Sequence, residues 1–258
     1  MPALPARFTS LPIAHRALHD AAAGVIENSP AAIDRAVRAG YGIEIDLQLS
    51  ADGVPMVFHD DTLDRLTGET GPVRDRMARD LSDIRLSGSE DRIPTLEQVL
   101  DRVAGAVPLL IELKDQSNGL GDGDTTLEEA TAALLADYSG DVAVMSFNPQ
   151  MVAAMQRLAP EIPRGLTTCG YIPSQWKRLS PETCDALRAI PHFEAVGASF
   201  ISHDWKDLGN PRVAELKAQG VPILCWTVKS PEVELEARRM ADNVTFEGYL
   251  PPVPVAGD

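Results

Sequence analysis

The chain has 258 residues, 44% of them apolar and 24% charged, with 38 Asp and Glu against 23 Lys and Arg for a formal charge of −15. That length suits one large α/β domain or two small ones, with enough material for a sizeable core. The acidic balance repels polyanions and argues against nucleic-acid binding, while a small phosphate ligand stays compatible because a local site can be positive on a negative protein.

The N-terminal MPALPARFTSLPIAH lacks the long apolar core of a signal peptide, and no run of ~18 apolar residues follows that could span a membrane. A cytoplasmic protein without membrane insertion is the expectation. Leu11 to Ala14 reads as a first strand. A helix follows over Ser29 to Ala39, with Asn28 or Ser29 as its cap, Pro30 in its first turn and Gly40 at its end. Gly42 to Asp46 is the second strand. Further strands are expected at Pro108 to Leu113, Asp141 to Ser146, Arg164 to Thr167, Ala195 to Ser199, Pro222 to Thr227 and Asn243 to Phe246, eight in all. Helical segments separate the later ones: Thr125 to Asp137, then Pro149 to Leu158, Pro181 to Ile190, Pro211 to Gln219 and Pro231 to Met240, four of which start with proline. Repeated βα units imply a parallel sheet, and eight imply a closed (β/α)8 TIM barrel in a single domain over 1–258.

Residues 47–94 are too many for the second βα connection. They hold the strand-like Val54 to Phe58 and a polar stretch rich in Asp and Arg, and read as a rim insertion. Thr95 to Val103 is then the helix before the third strand, capped by Thr95 with Glu97 and Gln98 in its first turn. The tail from Pro251 to Asp258 reads as loose. Cys169, Cys184 and Cys225 form no CxxC and read as buried or free thiols of a reducing compartment. Nothing in the chain fixes an oligomeric state.

Chemistry is concentrated at strand ends. Glu44, Asp46 and Gln48 share one face of their strand, and Ile43, Ile45, Leu47 and Leu49 share the other. In a barrel the acidic face points inward at the C-terminal end, where barrel active sites form. Glu112 and Lys114 are likewise two apart on the third strand. Two readings stand for the acids: an oxygen-ligand site for Mg²⁺ or Ca²⁺, or a salt-bridge network with Arg16 and Lys114. His15 and His59 each follow an apolar run near these acids, which fits acid–base chemistry as well as satisfied buried histidines. Arg16 is placed either to clamp a phosphate or to pair with Glu27. His19, His192 and His203 read as surface or structural residues.

The order His15-Arg16, Glu27-Asn28, Ile43-Glu44-Ile45-Asp46, Asp52-Gly53-Val54-Pro55, His59-Asp60, Arg65-Leu66-Thr67-Gly68, Ile93-Pro94-Thr95-Leu96 and Ile111-Glu112-Leu113-Lys114 resembles the glycerophosphodiester phosphodiesterase family. Cys225-Trp226-Thr227-Val228 is similar to that family's tryptophan-containing seventh strand. Two departures stand out: Ala17 where the family has glycine, and Ile26-Glu27-Asn28-Ser29 where it has Pro-Glu-Asn-Thr. The resemblance implies metal-dependent hydrolysis of a glycerophosphodiester to glycerol 3-phosphate and an alcohol. It assigns one divalent cation, Mg²⁺ or Ca²⁺, to Glu44, Asp46 and Glu112. It makes His15 and His59 general base and acid, without ordering them, and Arg16 and Lys114 the phosphate clamp. A glycerol hydroxyl would attack phosphorus to form a cyclic phosphate that water opens. Trp226 would border the site and Glu27 would orient Arg16 or touch substrate, each with a structural role as the alternative. Glu247-Gly248 reads as rim and not as catalytic. Rival readings are a phospholipase D-like lyase that stops at the cyclic phosphate, and a non-catalytic barrel that binds glycerophosphodiesters or a protein. The alcohol is not readable: choline, ethanolamine, glycerol and inositol are all compatible.

Overall fold

A computed structural model describes residues 2–117, 119–121 and 123–254. Eight parallel strands close into a barrel, with helices between them on the outside. They are β1 (Ile13–Ala14), β2 (Gly42–Leu49), β4 (Leu109–Leu113), β5 (Val142–Ser146), β6 (Arg164–Thr168), β7 (Phe200–Asp204), β8 (Ile223–Val228) and β9 (Asn243–Phe246). Closure falls on β1, which pairs in parallel with β2 on one side and β9 on the other. The remaining short strand, β3 (Pro55–Val57), runs antiparallel to the end of β2.

Most of the outer helices form where proline and a capping side chain coincide. In α2 (Pro30–Ala39) the Ser29 hydroxyl accepts from Ala32 N–H and Gly40 closes the helix at φ +76°. A capping box between Thr95 and Gln98 opens α4 (Leu96–Val103). Asn148, Ser180, Asn210 and Ser230 cap α6 (Pro149–Leu158), α7 (Pro181–Arg188), α8 (Pro211–Ala218) and α9 (Pro231–Ala237), each with proline in the first turn. The helix between β4 and β5 is α5 (Thr126–Leu135).

Alternation sorts side chains between two cores. Ile43, Ile45 and Leu47 face outward to the helices and are fully buried. Inside the barrel floor, Ile13, Leu110, Ala143, Phe200 and Leu224 pack on Phe8 from α1 (Arg7–Ser10), which plugs the N-terminal end. Asn243 ties the plug down by donating to the Phe8 and Leu11 carbonyls at 2.7 and 2.6 Å. Gly165 is obligatory beside this floor, because a Cβ there would lie 2.4 Å from the Phe200 ring. The floor is closed and apolar, so any ligand must enter from the other end.

Several boundaries differ from expectation by a few residues, and three departures carry structural consequences. The strand expected at Ala195 to Ser199 is a turn, with Gly197 at φ +61°, and β7 begins only at Phe200. Alternating Phe200 and Ile201 supply the inward and outward bulk that Ala195 to Ser199 lacks. β2 runs on to Leu49, since its last residues pair with β3. From there to Pro94 the chain builds a lobe with its own apolar cluster, which includes Met56, Phe58, Leu63, Leu81 and Ile93. The lobe also holds α3 (Ala78–Leu81). The tail expected to be loose is tied down over 251–254: Tyr41 donates its hydroxyl to the Pro251 carbonyl at 2.6 Å, and Val253 packs on the outer core. The rest of the tail lies outside the described residues.

Candidate active site at the C-terminal mouth

Register brings the acids together. Asp46 pairs with Glu112 across β2 and β4, and Glu44 lies two residues earlier on the same inward face. One carboxylate oxygen from each of Glu44, Asp46 and Glu112 lies within 4.8 Å of the others, and all three residues are buried. Lys114 Nζ sits 2.9 Å from Glu112 and 3.2 Å from Asp46. Arg16 Nε lies 3.6 Å from Asp46, and the Arg16 amide N–H donates to Glu44 at 2.8 Å. Asn28 donates to Asp46 at 2.9 Å.

Glu44 and Asp46 are pushed in opposite directions. Burial, with repulsion from Asp46 and Glu112, pushes the Glu44 carboxyl well above the usual range. Burial acts the same way on Asp46, but Lys114, His59 and Arg16 outweigh it and hold that carboxyl well below its ordinary value. Were all three acids ionised, the two cations would leave one negative charge uncompensated in a buried place, which is the repulsion that adds to burial in raising Glu44; among the described residues the Arg16 Nε–H also lacks a hydrogen-bond partner. An all-oxygen donor set with surplus negative charge fits a hard divalent cation. Both readings of the acids therefore describe the same side chains: the salt-bridge network exists, and it is incomplete.

Each of the two expected histidines is braced by a carboxylate. His15, just after β1, holds Glu247 through Nδ1 at 2.9 Å, and Glu247 also accepts from Lys229 at 3.0 Å. These bonds, His15 first, draw the Glu247 carboxyl down to about 2. His59 holds Asp60 through Nδ1 at 2.7 Å. Arg65 grips Asp60 at 2.6 and 2.9 Å and Glu27 at 2.8 and 2.9 Å, and Glu27 in turn accepts from Arg16 at 2.7 Å. Burial lowers the His59 pKa, with Lys114 and Arg16 adding to it against the pull of Asp46. An Nδ1 engaged by a carboxylate leaves Nε2 of each ring as the atom available to a ligand.

Glu27 thus ties Arg16 to the His59 side of the mouth. Trp226, on β8, is half-buried and donates its indole N–H to the Ser202 carbonyl at 2.9 Å. His203 is structural, fully buried between Thr168 at 2.7 Å and Asp207. His19 and His192 are half-buried. The backbone after His15 is strained: Arg16 and Ala17 have φ of +52° and +64°, and Asn28 opposite has +60°. Ala17 therefore occupies a conformation that glycine adopts freely.

Sequence reasoning did not find Glu247, Asp60 or Arg65 as members of the site. For Asp60 the signal was adjacency to His59. For Glu247 it was the position just after the last barrel strand, equivalent to that of His15 after the first. Among the described residues, no helix is long and apolar enough to cross a membrane.

Residues 15–246 match the Glycerophosphoryl diester phosphodiesterase family. The Bacillus subtilis protein YhdW is 30% identical over 246 residues, covering 92% of this chain and 93% of the relative. A glycerophosphodiester phosphodiesterase of Caldanaerobacter subterraneus subsp. tengcongensis is 33% identical over 235 residues, covering 86% and 87%. Among solved structures, an Oleispira antarctica phosphodiesterase in complex with the product sn-glycerol-3-phosphate superimposes with a TM-score of 0.74 at 25% identity, over 93% of this chain and 94% of that one. The chain therefore belongs to the glycerophosphoryl diester phosphodiesterase family and is an enzyme of that class.

Proposed function

We propose that the chain hydrolyses glycerophosphodiesters to glycerol 3-phosphate and an alcohol, with Glu44, Asp46 and Glu112 holding one divalent cation, Mg²⁺ or Ca²⁺. The observation that carries this reading is the joint convergence, at one barrel mouth, of three buried carboxylates, two cationic side chains and two carboxylate-braced histidines. A bound cation would supply Lewis-acid stabilisation of phosphate charge and acidify a coordinated hydroxyl.

The chain's own groups account for the rest. Arg16 and Lys114 present N–H donors toward a phosphate and offset its charge. His15 follows β1 and His59 follows β3, and both strands pair with β2, which carries Glu44 and Asp46. One takes the proton of the attacking glycerol hydroxyl, and the other gives a proton to the leaving alcohol oxygen. The roles then reverse as water opens the cyclic phosphate. Glu247 and Asp60 fix ring orientation and favour the imidazolium that each proton uptake creates. Glu27 acts on Arg16 and Arg65, which makes it a positioning residue in this scheme. The closed floor leaves the mouth as the route for both substrate and product. A cytoplasmic setting accords with three cysteines that are free and buried.

The test is release of glycerol 3-phosphate from glycerophosphocholine and glycerophosphoethanolamine with EDTA, then with Mg²⁺ or Ca²⁺ restored. Product that disappears with EDTA and returns with metal is the expected result. Full activity in EDTA would remove the cation from the scheme. Accumulation of a cyclic phosphate seen by phosphorus NMR would make the protein a lyase, and no product with any metal would end the enzymatic reading of this site.

A further inference from the structure

Gln48 is the third inward-facing side chain of β2, two residues beyond Asp46, and only 4% of it is exposed. Its amide is engaged at both ends. Nε2 donates to the His59 carbonyl at 3.1 Å and to Asp61 Oδ1 at 3.4 Å, and Oε1 accepts from Gln116 Nε2 at 3.0 Å. The opposite orientation of the amide would set oxygen against the His59 and Asp61 oxygens and nitrogen against nitrogen, so the partners fix which way it points. Gln116 Nε2 also donates to the Lys114 carbonyl at 2.8 Å, and the Lys114 amide donates to the Leu47 carbonyl at 3.1 Å.

We propose that Gln48 is a positioning residue for the reaction, which fixes the His59 main chain to the strand that carries Glu44 and Asp46. The inference rests on the phosphodiesterase reading above, in which His59 transfers a proton. The main-chain bonding of β2 to β3 and its extension reaches Phe58, whose amide donates to the Asp46 carbonyl at 3.0 Å, and stops one residue short of His59. Asp60 holds the ring through Nδ1, and Arg65 holds Asp60, but both belong to the lobe that carries His59 and move with it. Gln48 stands on the barrel. Its bond to the His59 carbonyl therefore sets how far the imidazole stands from the acid cluster. The residue type follows from this task. Methionine fills the same volume and leaves the His59 carbonyl without that donor. An ionised glutamate offers no donor and faces the Asp61 carboxylate, and asparagine is one methylene short. Through Gln116 the same amide reaches the Lys114 main chain, so one buried side chain ties the histidine to the lysine placed for the phosphate.

The test reads kcat, KM and the imidazole NMR signals in Gln48→Met and Gln116→Met, with His59→Asn to assign the His59 signal. Gln48→Met should lower kcat for glycerophosphocholine roughly ten- to a hundredfold, the cost of misplacing a reacting group by up to about an ångström, with KM within about threefold. At one fixed pH its His59 signal should move or broaden, while that of His15, braced by Glu247, stays in place. Gln116 is half-buried, so Gln116→Met is the milder change should Gln48→Met not fold. It frees Gln48 Oε1 and should lower kcat about threefold, the size of one net hydrogen bond, with the same one-sided NMR change. A merely structural role would lower the melting temperature and disturb both histidines alike. Equal changes at both histidines, an unmoved His59 signal, or wild-type kcat in Gln48→Met would overturn the proposal. An inactive His59→Asn beside a fully active Gln48→Met would overturn this proposal alone, whereas full turnover by His59→Asn would overturn the acid–base reading of His59 and this proposal with it.

Discussion

Glu247→Gln should slow the enzyme by roughly ten- to a hundredfold, without a comparable change in substrate affinity. The Glu247 carboxyl is drawn from its ordinary 4.5 to about 2, chiefly by the bond from His15 and secondarily by Lys229. A shift of that size corresponds to ~3 kcal/mol for a fully buried group. Solvent reaches Glu247, so about half of that survives screening. Lys229 is exposed, and an exposed pair is worth little, which leaves His15 with about 1 to 1.5 kcal/mol, or roughly a tenfold effect. Loss of ring orientation adds to this, because small misplacements of a reacting group can cost up to about a hundredfold. The sign of the pH dependence is fixed. The depressed folded pKa means that this carboxylate's contribution is complete above pH 4.5 and is lost as pH falls toward 2. Between pH 6 and 9 Glu247 stays ionised, so its own titration adds no pH dependence to the deficit there. The assay is glycerol 3-phosphate release over that range, with Lys229→Met as the companion variant, expected within about threefold of wild type. A Glu247→Gln enzyme within threefold of wild type at every pH, and with unchanged melting temperature, would refute the claim that Glu247 positions His15.

Asp46→Asn should remove metal-restored activity, because it deletes the anion on which Lys114, Arg16 and Asn28 converge; recovery with excess Mg²⁺ or Ca²⁺ would contradict its place in the cation site. Glu128, buried on α5 with no hydrogen-bond partner for Oε2 among the described residues, has its carboxyl raised to about 7, first by burial. The wild type should therefore lose stability as pH rises from 4.5 through 7, and Glu128→Gln should gain on it over that window by about 2 kcal/mol, after discounting for the cavity it lines; parallel melting curves from pH 4.5 to 8 would refute this. Gly165→Ala should destabilise by about 1 to 3 kcal/mol, since its Cβ meets the fully buried Phe200 ring. An unchanged melting temperature would show that the floor can yield.

The parts of the fold that could be read from sequence were those set by local rules. Alternation over Ile43 to Leu49 depends only on strand geometry, and it placed Glu44 and Asp46 inward while Ile43, Ile45 and Leu47 went to the outer core. Proline with a capping side chain is equally local, and the helix starts at Pro149, Pro181, Pro211 and Pro231 fell where expected. β7 failed because Ala195 to Ser199 has no strong alternation, and its turn is set by Gly197 and by packing from elsewhere. The site was half legible for the same reason. Residues on one strand reveal one another through spacing, whereas Glu247 meets His15 across 232 positions and only because the barrel closes between β9 and β1.

That closure explains why the chemistry sits where it does. β1 is a two-residue strand, and its register sets Ala14 beside Ile43 on one side and Phe246 on the other. His15, the next residue, is therefore delivered between the acid cluster and Glu247. The two following residues leave the strand in left-handed conformations that L side chains avoid, which turns the Arg16 amide onto Glu44 and its guanidinium toward Glu27 and Asp46. The second histidine is reached from the opposite direction. His59 lies just past β3, on a lobe that packs its own apolar cluster, and Arg65 on that same lobe links Asp60 to Glu27. The two histidines thus stand on independently supported pieces of structure, joined through the Arg16–Glu27–Arg65 chain across the mouth. A loop substitution in the lobe can shift His59 without moving His15, so perturbations of the two should be separable in kinetics even though the proposed scheme has both acting on one phosphate.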